Sequence, residues 1–163
     1  MAPTEALWNT FVAEARTVPL DGRPVLAALQ EALFTALDRM AEEERTTEAG
    51  GPTDTWARRT LRSRRLAVDT PSMDAHGLRF CDRTIATAEE VLHGRLGLPA
   101  GARELRLRLA LDLLVAAFHA ALSAWVLADG HPPHPGAGPS RAALAEELRT
   151  AFAAIPGSLT FAG

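Results

Sequence analysis

Apolar residues return every three or four positions along most of the chain, and no stretch alternates with the period of a strand. Start and stop signals divide this pattern into six predicted helices. The first spans about Thr4 to Thr17, with Leu7, Trp8, Phe11, Val12 and Ala15 on one face, and ends at Pro19 and Asp21-Gly22. The second begins near Pro24, carries Val25, Leu26, Leu29, Leu33, Phe34, Leu37 and Met40, and frays into Glu42-Glu43-Glu44-Arg45. A loop from Thr46 to Pro52 leads to the third, from Thr53 as N-cap to Val68. Thr70-Pro71 opens the fourth, which runs to about Arg95 with Leu78, Cys81, Ile85, Ala88 and Leu92 in one stripe; Gly97 and Pro99 close it. The fifth spans about Ala102 to Ala128. After a Gly-, His- and Pro-rich loop, Ser140 caps the sixth, which carries Leu144, Leu148, Ala151, Phe152 and Ile155 until Pro156-Gly157. The expectation is one all-α domain over residues 1–163, a bundle of about six helices, with a loose tail over 157–163.

The fifth helix departs from the amphipathic pattern. From Leu109 to Leu127 it is apolar on almost every side, long enough to span a bilayer. Asp112, His119 and Ser123 interrupt it, and a carboxylate near the helix middle is expensive in lipid, so the reading is a buried helix with no membrane partner. A helix apolar all round must be covered all round. The other five helices can cover about half of it, and a second copy packed about a two-fold axis is the expected cover for the rest. The residues expected at that homodimer interface are Leu111, Leu114, Leu122, Trp125, Leu148 and Phe152.

Composition adds mainly exclusions. A chain of 163 residues can bury a core without disulfides, and its formal net charge of -3 gives no overall pull toward nucleic acid or anionic membranes. Cys81 is the single cysteine, which excludes an intrachain disulfide and a cysteine-based zinc site. The first residues lack a basic segment followed by an apolar run, so a cytoplasmic location is the default expectation. There is no P-loop, dinucleotide glycine fingerprint, His-Glu-x-x-His or Gly-x-Ser-x-Gly, and no cofactor is expected.

Four segments together are similar to the C-terminal ligand-binding and dimerisation domain of TetR-family transcriptional regulators. Arg64-Arg65-Leu66-Ala67-Val68-Asp69-Thr70-Pro71-Ser72-Met73 resembles the family's join between a basic helix and a long helix opening on Thr-Pro. Glu89 to Leu98 resembles the end of that long helix. Leu105 to Gly130, with its late Trp125 and closing Asp129-Gly130, resembles the first dimerisation helix, and Arg141 to Ile155 the last. The resemblance covers about Glu5 to Pro156. Family members begin with a helix-turn-helix domain, and nothing before Glu5 could hold one, so direct nucleic-acid binding is not expected of this chain alone.

The resemblance implies a cavity for a small hydrophobic effector among the first five helices. Its expected lining is Phe34, Trp56, Met73, His76, Phe80, Phe118 and His119, with ordinary core packing as the alternative for each. Asp112 and His119 lie two helical turns apart, about 10 Å along the axis, too far for a direct hydrogen bond; Asp112 is placed to pair with Arg108 instead. If the pocket were an active site, cyclisation or isomerisation by acid–base chemistry would fall to His76, His119 and Asp112. A partner forming inactive heterodimers with a complete regulator is a third possibility. Arg58, Arg59, Arg62, Arg64 and Arg65 read as a solvated, salt-bridged face, His131 and His134 as a solvent loop without a metal, and Cys81 as an inert core thiol.

Overall fold

The structure is a computed structural model that describes residues 2–47, 55–68, 71–101, 104–129, 140–158 and 160, with side chains at all of these except 47, 68, 71–78, 129 and 158. Six helices form in chain order: α1 (Pro3–Ala15), α2 (Val25–Thr47), α3 (Trp56–Val68), α4 (Pro71–Arg95), α5 (Leu105–Asp129) and α6 (Arg141–Ser158). No strand occurs among the described residues, so the chain is an all-α bundle. Thr53, Thr70, His131 and His134 lie outside those residues.

Local chemistry explains most helix ends. The Glu5 carboxylate accepts the Ala2 backbone N–H at 3.0 Å, satisfying one donor at the start of α1. Gly22 takes φ 65° in the turn after α1, where Arg23 N–H reaches the Leu20 carbonyl. α4 ends in a Schellman motif: Gly97 has φ 63°, its N–H bonds the Gly94 carbonyl, and Leu98 N–H bonds the His93 carbonyl. Before α5, Glu104 accepts both the backbone and the guanidinium of Arg106, which holds its carboxyl below the usual range. The Ser140 hydroxyl accepts Ala143 N–H and caps α6.

Two expected ends differ. The acidic run at Glu42–Glu44 does not fray, and α2 continues through it to Thr47. Glu44 is held by the backbone N–H of Trp56 and by the Arg141 guanidinium, so that turn is anchored from two sides. α6 continues past Pro156 to Ser158, because proline's fixed φ is helical and its missing N–H removes only one bond near the end. Gly157 and Ser158, expected in a loose tail, are therefore helical.

α1 packs chiefly on α2 and α4, α3 rests on α1 and α4, and α5 packs on α2, α4 and, most extensively, α6. The core is centred on Trp8, whose ring meets Phe11 edge-on at 5.4 Å and Phe118 at 4.9 Å. Two ties fix α1 at opposite ends. Trp56 Nε1 donates to the Pro3 carbonyl at 2.9 Å, and the Arg95 guanidinium donates to the Ala15 carbonyl at 2.9 Å.

One core group is unsatisfied. Thr60 on α3 is fully buried, and its hydroxyl has no hydrogen-bond partner among the described residues. An orphaned hydroxyl costs about 1–3 kcal/mol in desolvation. Thr60→Val keeps the branched shape and removes that cost. The variant is expected to be more stable by about 1 kcal/mol in urea denaturation; a loss of stability would mean the hydroxyl has a partner.

Candidate functional site

The six residues expected at a dimer interface are instead interior to one chain. Leu111, Leu114, Leu122, Trp125, Leu148 and Phe152 are all buried, within the core that α5 and α6 share with the rest of the bundle. Trp125 is also committed locally, since its Nε1 donates to the Ser140 carbonyl at 3.0 Å.

The outer face of α5 is a different set. Leu105, Leu109 and Leu127 are 69%, 50% and 74% exposed, and Ala116, Ala120 and Ser123 are exposed between them. These positions recur at helical spacing and form one stripe along the helix, with Asp112, paired to Arg108, lying between Leu109 and Ala116. Ala143, Thr150 and Ala154 are exposed on α6. The segment Leu105–Ala128 is long and apolar enough to cross a membrane, yet 39% of its most apolar window is buried against the other helices.

Among the described residues, Phe34, Trp56 and Phe118 of the expected effector lining lie at separate places in the bundle. Phe34 lies between α2 and α6, 6.0 Å from Phe152, with Arg149 over its ring at 5.2 Å. Trp56 lines a separate groove of about 350 Å³ beside α1 and α3, bordered by Pro3, Met40, Arg59, Arg62 and Leu66. Phe118 is core. Phe80 is half-buried against that core. Met73 and His76 fall among the residues whose side chains are not described.

His119 sits beside Cys81, with Nε2 3.9 Å from Sγ, a pair that joins α4 to α5. Next to them is an apolar void of about 10 Å³ between Trp8, Thr84 and Val115, room for about one water. Asp112 is occupied elsewhere: Arg108 Nε donates to both its oxygens, at 3.0 and 3.2 Å, and Arg108 also reaches Glu89 at 3.6 Å. Asp112 is therefore half-exposed and paired, as its i–4 spacing predicts, and is not aimed at His119.

Burial pushes the Cys81 thiol above its ordinary range; Asp82 adds to the rise and Arg64 opposes it. Less thiolate is then present at any neutral or mildly alkaline pH than on a free cysteine. Reaction with Ellman's reagent at pH 8 is expected to be slower than that of free cysteine by about tenfold or more, accelerating as pH rises. Labelling as fast as free cysteine would contradict the burial.

The basic face of α3 behaves as its composition suggests. Arg58, Arg59, Arg62 and Arg65 are exposed, and Arg59 lies 3.9 Å from Glu44. No group of three or more potential metal ligands occurs among the described residues. Comparison of the chain with protein-family models, with curated proteins and with solved structures finds no match. Function must then be argued from the surfaces themselves.

The signal that the sequence reading missed was positional. The groove between α2 and α6 draws its polar lining from Asp38, Arg45, Arg141 and Arg149, residues that look like ordinary solvated charges in one dimension. Only the packing of α6 against α2 brings them to the same apolar floor.

Proposed function

We propose that this chain is a homodimerising, small-molecule-binding helical domain of the kind found in TetR-type regulators. What supports it is the outward stripe of α5, apolar except at Asp112, whose charge Arg108 offsets. At about 1.5 Å per residue, the 25 residues of α5 extend for roughly 37 Å. With α6 alongside at about 10 Å spacing, the two helices present a face of roughly 700 Å². That is close to the ~800 Å² per partner of a standard stable interface. Two such faces related by a two-fold axis remove the exposed leucines from water, about 25 cal/mol for each Å² of apolar surface buried. The same burial accounts for the membrane-like composition of the helix in a water-soluble, cytoplasmic protein.

In this reading the effector binds between helices of each protomer, and its binding energy shifts how the two halves of the dimer sit. For the acid–base alternative, Asp112 is paired with Arg108 and His119 lies beside the Cys81 thiol, so neither is aimed at the other. Sedimentation velocity tests the proposal. A dimer is expected at tens of micromolar, and a strict monomer there would overturn it.

A further inference from the structure

Six positions on the outer side of α5 follow one another at spacings of four, three, four, three and four residues. They are Leu109, Leu113, Ala116, Ala120, Ser123 and Leu127, of which Leu113 is half-buried and the others are exposed. This is the 3.5-residue repeat of a helix that packs along a second helix at a small crossing angle. None of the six carries an ionised side chain.

The same residues fall into three pairs about one point. Leu109 and Leu127 lie nine residues either side of position 118, Leu113 and Ser123 five, and Ala116 and Ala120 two. In an isologous dimer, residue i meets j wherever j meets i. Two α5 helices running antiparallel about an axis at position 118 therefore set Leu109 on the partner's Leu127, Leu113 on the partner's Ser123 and Ala116 on the partner's Ala120.

We infer that the second copy docks antiparallel along this seam, α5 on α5, with the two-fold axis passing beside position 118. The inference rests on the homodimer proposed above and gives that dimer its direction and register. Side-chain size fits it. The seam is narrowest at its centre, where the paired alanines let the helix axes approach to about 8 Å. Its leucines lie at the two ends, where crossing helices diverge and leave more room. Between them, each Leu113 meets a small Ser123.

Charge selects the direction. Asp112 lies beside the seam, half-exposed and paired with Arg108. In the antiparallel arrangement the two copies of this ion pair sit about 18 Å apart along the helices, at opposite rims where each stays in water. A parallel arrangement would set both carboxylates at one height beside the contact, where like charges oppose association. Antiparallel helices also oppose their dipoles instead of aligning them. Leu105 falls opposite position 131, beyond the end of α5 at Asp129, and lies outside the paired segment.

Cross-linking of the full chain tests the register. Cys81→Ala removes the natural thiol, and Leu109→Cys and Leu127→Cys are made in separate copies of that background. A short bismaleimide is added to each variant alone and to the two mixed after subunit exchange. The mixture is expected to give linked dimer at least about tenfold above either variant alone, because each Leu109 lies about 27 Å from its own copy along the seam. Linking of Leu109→Cys alone would show a parallel pair, overturning the register while the dimer stands. Chains that sediment as dimers yet link in neither format would likewise overturn it. A monomeric unmodified chain at tens of micromolar would overturn the dimer and the register together. Circular dichroism checks helix content. Where a leucine variant dissociates or unfolds, Leu113→Cys with Ser123→Cys repeats the test, with like positions about 15 Å apart.

Discussion

Replacing Trp125 with alanine is expected to destabilise the protein by about 3–5 kcal/mol, a fall in Tm on the order of 10 °C for a domain of this size. The indole is 2% exposed and is among the largest fully buried side chains. Removing it opens a cavity at the α5–α6 seam. It also removes the bond from Nε1 to the Ser140 carbonyl, which places the residue that caps α6. The two losses can be separated. Trp125→Phe keeps most of the packing and loses the bond, and should cost about 1 kcal/mol plus a smaller packing term. Thermal denaturation followed by circular dichroism measures both variants. A near-neutral Trp125→Ala would mean that α6 does not depend on this contact.

Glutamates at Ala116 and Ala120 are expected to abolish the proposed dimer, weakening association by at least about 100-fold, some 3 kcal/mol. Both residues are exposed in the single chain, and both fall near the midpoint of α5. Close to a two-fold axis a residue meets its own copy, so each introduced carboxylate would face another across a desolvated interface. Within the protomer the change is mild, because glutamate is a good helix former and the positions contact solvent. Helix content and Tm should stay near those of the parent protein, extrapolated to the monomer. Sedimentation equilibrium reads the result, and unchanged association would place the interface elsewhere or nowhere. Leu111→Glu is the contrasting variant. It enters the core and should unfold the chain rather than dissociate it.

That contrast also locates where one-dimensional reading failed. The α-helical class and the six elements were legible because the apolar residues of α1, α2, α4 and α6 keep a helical period and because Gly97, Pro71 and Ser140 mark ends by known chemistry. In α5 the period itself carries almost no information. Sixteen of the nineteen positions from 109 to 127 are apolar, so the pattern indicates a covered helix without indicating which side its own chain covers. Leu111, Leu114, Leu122 and Trp125 were expected at an interface because α5 is apolar all round, and in the single chain all four are buried. The outward positions proved to be the smaller Ala116, Ala120 and Ser123, flanked by leucines at the helix ends.

Site residues were harder still. Phe34, Trp56, Phe118 and His119 all fall on inward or flanking helical positions, as periodicity suggests, but periodicity orients a residue about its own axis only. Whether two such residues meet depends on crossing angles and neighbours, which have no linear signature. Arg108–Asp112 was readable because both partners lie on one helix. Cys81–His119 was not, because it requires α4 and α5 to be packed first.

The two ties on α1 bear on how the chain comes to be folded during synthesis. α1 is the first of the six helices to leave the ribosome, and its apolar face has only α2 to cover it at that stage. Its beginning waits for Trp56, and its last carbonyl, that of Ala15, waits for Arg95. Closing those two loops costs chain entropy before any contact compensates for it. Leu7, Trp8 and Phe11 therefore lack part of their native cover until α4 and α5 have been made, and α1 locks late although it precedes them in the chain.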